Sequence, residues 1–251
     1  MSAVLLVQED GVAVLTLDRP ARSNALSDDL LADLNAALER LESPRALILR
    51  ASGRHFSTGG DVARFAQEVA AGNGRAYAEA VVGGLNRAIL RLASLPCPVL
   101  AEVQGALTGG ALGLVLAADL VAMDRRAFIQ PFYTVVGFAP DGGWTAMLPA
   151  RIGAHRAREI QLLNQRISAD QSLGLGLAQS VSDAPATVTA GWLTTLRGHI
   201  PGAMAITKRL TIDLPALEAA LDAERAAFVS RIETDEVRDG MARFLASLKG
   251  A

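Results

Sequence analysis

Residues 101–120 read AEVQGALTGGALGLVLAADL, and the fold turns on how they divide. A short apolar run leads into Gly105, a turn holds Thr108-Gly109-Gly110, and an apolar helical run continues to Leu116. Strand, glycine turn and helix in that order leave the first backbone N–H groups of the helix unpaired, at the positive end of its dipole. Such a corner suits an anion or a polarised oxygen. Glycine lets a ligand approach where a side chain would block it. The same pattern also serves as a plain tight connection in an α/β fold, and on this stretch alone both readings stand.

A second corner lies upstream, in GRHFSTGGD at 53–61. A strand at 46–49 runs into a glycine loop, and a helix starts near Asp61, which can cap it. The two strand–Gly-Gly–helix corners are about fifty residues apart. Two backbone donors meeting on one oxygen make an oxyanion hole. Aimed at a thioester carbonyl, they stabilise the enolate formed when a proton leaves the neighbouring carbon. One such donor is worth ~3 kcal/mol in the transition state.

Working outward, 4–7 and 12–17 are strand-like runs around Glu9-Asp10-Gly11, a hairpin signal. Ser27 starts a helix as N-cap, with Leu30, Leu31, Leu34, Leu38 and Leu41 on one stripe. Residues 45–50 read as a buried strand. A long helix is expected over 75–93, and Pro96 and Pro98 introduce a strand at 99–103. Short strands follow at 120–123 and 127–129. A further glycine loop spans 139–143, with a helix running from it into Leu148-Pro149. Helices at 154–163 and 169–175 and a strand at 180–181 complete this part. From Thr187 onward the patterning is helical, including 203–211, 214–232 and an amphipathic 235–248. The cadence is that of a coiled β/α spiral.

Composition narrows the function class. At 251 residues, half apolar and a fifth charged, the chain can bury a sizeable core as one large domain. A net charge of -2 without long runs of either sign argues against a nucleic-acid footprint or a polybasic membrane patch. The lone Cys97, between two prolines, reads as packing. His55, His155 and His199 are too scattered to give a metal-site spacing. The N-terminal MSAVLLVQEDGVAV lacks a basic lead-in and a long apolar core, so no signal peptide is expected. No apolar span reaches the ~20 residues that cross a bilayer. The expectation is a soluble cytoplasmic protein without a bound metal.

The ordered motifs resemble the crotonase, or enoyl-CoA hydratase/isomerase, superfamily over nearly the full length. They are Pro20 with Asn24-Ala25-Leu26, FSTGGD at 56–61, QGALTGGALGL at 104–114, GFAPDGGWTAMLPARIG at 137–153, RAREIQLL at 156–163 and ITKRL at 206–210. The resemblance implies an α/β ClpP/crotonase-like β-β-α spiral with a C-terminal helical extension. Residues 1–195 would form the core domain with the CoA and active sites, and 196–251 an extension used in oligomerisation. A homotrimer or a hexamer built as a dimer of trimers is implied. So is a coenzyme A thioester as substrate, with no permanently bound cofactor. Carried over by position, the hole donors are the N–H groups of Thr58 and Gly110. Backbone around Ser57, Gly60, Asp61, Val62 and Ala63 would read the adenine. Arg22, Arg64 and Lys208 resemble in place the basic residues near the CoA phosphates, with plain surface charge as the alternative for each.

The departures from the family pattern bear on the reaction. Hydratases of the family use two glutamates. Gly113 stands at the first of those positions and Tyr133 at the second. Neither moves a proton in the usual way near pH 7, and losing oriented acid–base catalysis costs a factor of roughly 10² to 10⁴. Asp141 remains, in Pro140-Asp141-Gly142-Gly143. It resembles the acid/base of isomerase-type members, including ring-epoxide isomerases, and also occupies the place of the nucleophile of aryl-CoA dehalogenases. The expected activity is acyl-CoA isomerisation through an enolate, with Asp141 as base. The alternatives are hydration or other enolate chemistry, and a catalytically weak acyl-CoA-binding protein. For Asp141 itself the alternative is a helix cap.

Overall fold

Apolar alternation and two tight turns set the first edge of the structure. The computed structural model describes residues 2–249. β1 (Val4–Glu9) and β2 (Val12–Leu17) pair antiparallel in register from Val4 opposite Leu17 to Glu9 opposite Val12. Asp10 and Gly11 both take positive φ, the geometry that matches a two-residue turn to the strand twist. A short 3-10 turn at Pro20–Arg22 leads to α1 (Asp28–Glu39), which buries Leu30, Leu31, Leu34 and Leu38. Ser27 does sit at the N-cap, but its hydroxyl donates to Asp29 and makes no cap bond to the backbone.

β3 (Ala46–Ala51) adds parallel to β2, and after α2 (Val62–Ala70) and α3 (Gly74–Ser94), β4 (Val99–Val103) adds parallel to β3. Every residue of β4 is buried, as a strand covered on both faces requires. β5 (Ala106–Thr108) and α4 (Leu112–Leu116) come next, then β6 (Leu120–Asp124), β7 (Phe128–Gln130) and α5 (Tyr133–Val136). α6 (Leu148–Ile152), α7 (Ala154–Leu162), β8 (Ile167–Ser168), α8 (Ala169–Gly174) and β9 (Ser180–Ser182) follow. One sheet has the order β1-β2-β3-β4-β6-β9, and a second has β5-β7-β8. The chain therefore steps from one sheet to the other as it advances, and that alternation is the spiral.

Two expectations are corrected. The sequence places a turn at Thr108-Gly109-Gly110 and no strand between Gly105 and that turn, yet Ala106–Thr108 form β5, which pairs parallel with β7 from Ala106 opposite Phe128. Three residues give no period of their own; the partner strand makes them a strand. The helix expected straight after Gly143 begins only at Leu148, because Gly142 and Gly143, both at positive φ, open a run of turns.

The helical end is α9 (Pro185–Arg197), α10 (Pro201–Leu210), α11 (Leu214–Arg231) and α12 (Asp235–Lys249). α9 covers β4, β6 and β9, α11 packs on α3, and α12 packs on α2 and α5. The last two helices thus fold back over the spiral of their own chain. Among the described residues no helix is long and apolar enough to cross a membrane.

Candidate active site

The two glycine corners are stitched to each other by main chain. Ser57 N donates to Ala106 O at 3.0 Å, and Thr108 N donates to Ser57 O at 3.1 Å. Gly59 takes φ +76°, and a Cβ there would lie 2.8 Å from Thr108 O, so only glycine permits this approach. Both corners line one apolar cavity of about 520 Å³.

Planar trans peptides decide which N–H groups face that cavity. Gly59 O accepts from Leu26 N at 2.7 Å, so the N–H of the same peptide unit, that of Gly60, points the opposite way. Gly109 O accepts from the Trp144 indole N–H at 2.8 Å, which turns the Gly110 N–H away from the indole. Neither N–H has a hydrogen-bond acceptor among the described residues, and both glycines line the cavity. Anchoring the carbonyl of each unit fixes its donor without using the donor.

This corrects the assignment of Thr58. Thr58 lines the cavity, but its N–H is already given to Ser23 O at 3.1 Å. The free donor of the first corner is that of Gly60. The one-peptide difference is invisible in FSTGGD; it follows from where Ser23 and Leu26 pack against the loop.

Asp141 is brought against the second corner. A Cβ on Gly110 would meet its Oδ1 at 2.9 Å and its Oδ2 at 3.1 Å, so the carboxylate occupies the space that a side chain at 110 would need. The Tyr133 hydroxyl donates to Asp141 Oδ1 at 2.5 Å, with the Asp141 carbonyl as a second acceptor at 3.0 Å. Among the described residues the Asp141 side chain caps no helix, and the helix that follows has Met147 at its N-cap. Burial pushes its carboxyl up to about 7, against the pull of the Tyr133 hydroxyl, and the negative charge of Glu224 adds to the rise. Burial, with the charge of Asp141, holds the Tyr133 phenol well above its ordinary range, so it acts as a donor and not as a base.

Glu224, which the sequence reading did not single out, clamps the loop that carries Asp141. It reaches in from α11 and accepts from Gly143 N (2.8 Å), Thr145 N (2.6 Å), Thr145 Oγ1 (2.7 Å) and Ala146 N (2.8 Å). A buried carboxylate with four donors satisfies backbone N–H groups that the run of turns leaves unpaired. Its position in α11, a helix without a marked apolar face, gives no local signal. Gly113 has a spatial reason: a Cβ would sit 2.3 Å from Gly142 O and 2.5 Å from Ile89 Cδ1.

The remaining sequence-stated residues divide. Asp61 caps α2 by accepting from Arg64 N at 3.0 Å and pairs with Arg22 at 3.4 Å. Gly60, Asp61, Val62 and Ala63 line the cavity. Arg22 and Arg64 line an adjoining recess of about 350 Å³ that shares Ala25, Asp61 and Ala63 with the cavity. Ser57 is fully buried and does not line the cavity; its hydroxyl donates to Asn24 O at 2.7 Å and accepts from Gly59 N at 3.2 Å. It holds the corner in shape and is not open to a ligand. Lys208 lies elsewhere, against Asp119 Oδ2 (2.8 Å), Leu92 O (3.1 Å) and Cys97 O (3.4 Å). All three of its donors are used, so it ties α10 to the core and does not reach the recess. His55 lines the cavity, its Nδ1 accepting from Ala106 N at 3.0 Å, and burial lowers its pKa. Among the described residues, no three His, Cys, Asp or Glu gather to hold a metal ion.

Known proteins place this architecture. The family model described as enoyl-CoA hydratase/isomerase matches residues 7–250. A 1,2-epoxyphenylacetyl-CoA isomerase of Escherichia coli is 31% identical over 253 residues, covering 98% of this chain and 96% of that protein. A probable enoyl-CoA hydratase of Rhodobacter capsulatus is 39% identical over 174 residues, 67% of this chain and 64% of that relative's length. The crystal structure of an enoyl-CoA hydratase from Bacillus halodurans superposes with a TM-score of 0.90 at 23% identity, covering 96% of this chain and all of that one. With its paired glycine corners and alternating sheets, the chain belongs to the enoyl-CoA hydratase/isomerase family, the crotonase superfamily.

Proposed function

We propose that this protein isomerises an acyl-CoA thioester through an enolate, with Asp141 as the proton shuttle. Asp141 takes the proton from the carbon next to the thioester of a 3-enoyl group. That C–H pair becomes the new double bond of a dienolate, and the negative charge moves to the thioester oxygen. Gly60 and Gly110 N–H groups hold that oxygen. The proton then returns from Asp141 to the fourth carbon, leaving a 2-enoyl thioester. No water enters.

The observation that carries this reading is the carboxylate inventory. Among the described residues, Asp61 and Asp141 are the acidic groups lining the cavity, and Asp61 is spent on its cap and on Arg22. One carboxylate suffices to move a proton, whereas hydration also needs an oriented base for water. Gly113 has no room for a second one. CoA then lies across the first corner, its adenine on the backbone of 60–63 and its phosphates toward Arg22 and Arg64. Assembly as a trimer or hexamer is part of the proposal, supported by the exposed apolar Ile200, Ile206 and Leu210 beside and on α10; sedimentation measures it.

The test is proton NMR of a 3-enoyl-CoA in heavy water with the purified protein. The expected result is exchange next to the thioester, a shift of the double bond, and slow hydration of crotonyl-CoA. Robust crotonyl-CoA hydration that survives Asp141→Asn overturns the isomerase reading. Tight thioester binding without exchange identifies an acyl-CoA-binding protein instead.

A further inference from the structure

We propose that the acyl group taken by this cavity is neutral and carries a planar ring. This rests on the acyl-CoA reading above and names the part of the substrate that reading leaves open. The chain has seven phenylalanines, and six of them line the cavity: Phe65, Phe128, Phe132, Phe138, Phe228 and Phe244. The seventh, Phe56, is fully buried in the core. With aromatic residues at only 4% of the chain, composition does not explain this concentration.

The rings are already packed before a guest arrives. Phe65, Phe138 and Phe228 have centroids 4.9 to 5.5 Å apart at interplanar angles of 47° to 58°. Phe132 meets Phe244 edge-on at 5.7 Å and 63°. Phe132 sits at φ +63°, a left-handed conformation that a bulky side chain avoids, and Asn164 Oδ1 holds it there by accepting from Phe132 N at 2.8 Å. Backbone strain is thus retained to keep a ring on the cavity wall. Fixed faces and edges give a flat guest the offset and edge-to-face geometries that aromatic pairs prefer. An alkyl chain finds the same apolar area but must freeze its torsions to use it.

Charge restricts the guest further. Among the described residues no lysine or arginine lines the cavity, burial lowers the pKa of the lining His55, and the carboxylic acids of the lining are Asp61 and Asp141. A second carboxylate on the acyl group would be buried without a cation.

The experiment is equilibrium binding of phenylacetyl-CoA, octanoyl-CoA, succinyl-CoA and free CoA to the wild type and to Phe138→Leu. Phe138 is only half-buried but packs on Phe65 and Phe228, so the octanoyl-CoA arm serves as the check that the variant folds. Phenylacetyl-CoA should bind roughly tenfold more tightly than octanoyl-CoA, which has the same carbon count. Succinyl-CoA should bind no better than CoA. Phe138→Leu should weaken phenylacetyl-CoA about fivefold and leave octanoyl-CoA within about twofold, which also reports a folded variant. Octanoyl-CoA binding as tightly as phenylacetyl-CoA, or equal weakening of both by Phe138→Leu, overturns the ring. Succinyl-CoA binding better than CoA overturns the neutrality. If no thioester binds better than CoA, the acyl-CoA reading itself fails.

Discussion

The indole N–H of Trp144 donates to the carbonyl oxygen of Gly109 at 2.8 Å, from a side chain with no exposed surface. Because the peptide is planar and trans, this bond sets the direction of the Gly110 N–H. Trp144→Phe keeps an aromatic core residue and removes the bond. The expected outcome is a fall in the α-proton exchange rate of roughly tenfold to a hundredfold, short of full donor loss, which costs roughly 10² to 10³. Unchanged thioester affinity would accompany it. A variant with wild-type exchange would show that the corner holds its own direction.

Gly60 and Thr58 make opposite predictions. Replacing the amide N–H of Gly60 by an ester oxygen deletes a free donor without adding a side chain. Exchange should fall by roughly 10² to 10³. The same replacement at Thr58 breaks its bond to Ser23 O. That should cost about 1 kcal/mol of stability and leave the rate within about tenfold. The reverse ranking would restore Thr58 as the donor.

Asp141 links activity to stability. Its carboxyl rises from an ordinary 3.8 to about 7 in the folded chain, so ionising it opposes folding. Its contribution to stability is complete below about pH 4 and is lost as the pH rises through about 7. Asp141→Asn keeps the acceptor for Tyr133 and cannot ionise. Denaturant melts should show the variant gaining on the wild type between pH 5 and pH 8, by a few kcal/mol at most. Exchange should fall by orders of magnitude over the same range while acyl-CoA still binds. Equal pH dependence of the two proteins would place the carboxyl in water.

The neighbours of Asp141 push its titration in opposite directions, and kinetics can separate them. The Tyr133 hydroxyl favours the carboxylate, and the Glu224 charge disfavours it. Tyr133→Phe should move the acid limb of kcat/KM to higher pH, slowing exchange at pH 7 with recovery at more alkaline pH. Glu224→Gln should move it to lower pH. Glu224→Gln should also destabilise by about 2 to 4 kcal/mol, because it leaves buried backbone donors facing an amide. Shifts in the same direction for both variants would mean that general disruption, and not these two contacts, governs Asp141.

Local sequence carried much of the fold. The apolar stripe of α1 and the Asp10-Gly11 turn each follow from a period or a turn that a short window contains. Both corners were legible for the same reason, since Gly59-Gly60 and Gly109-Gly110 follow strand-like runs and precede helices. The placement of Asp61 as a cap was local too, because the Arg64 N–H it satisfies lies three residues on.

What a window does not contain, tertiary structure decided. Residues 106–108 are a strand because β7 lies beside them. Gly60 rather than Thr58 keeps a free N–H because Ser23 and Leu26, more than thirty residues away, take the neighbouring groups. The place of Lys208 in ITKRL fits either a phosphate contact or plain surface charge, yet Asp119 and two carbonyls surround it. Glu224 reaches the Asp141 loop across about eighty residues. Periodicity and capping act over a turn of helix or a pair of strands, so sequence states them outright. The direction of a single N–H and the company of a buried carboxylate depend on partners distant in the chain, and only the packed chain brings those together.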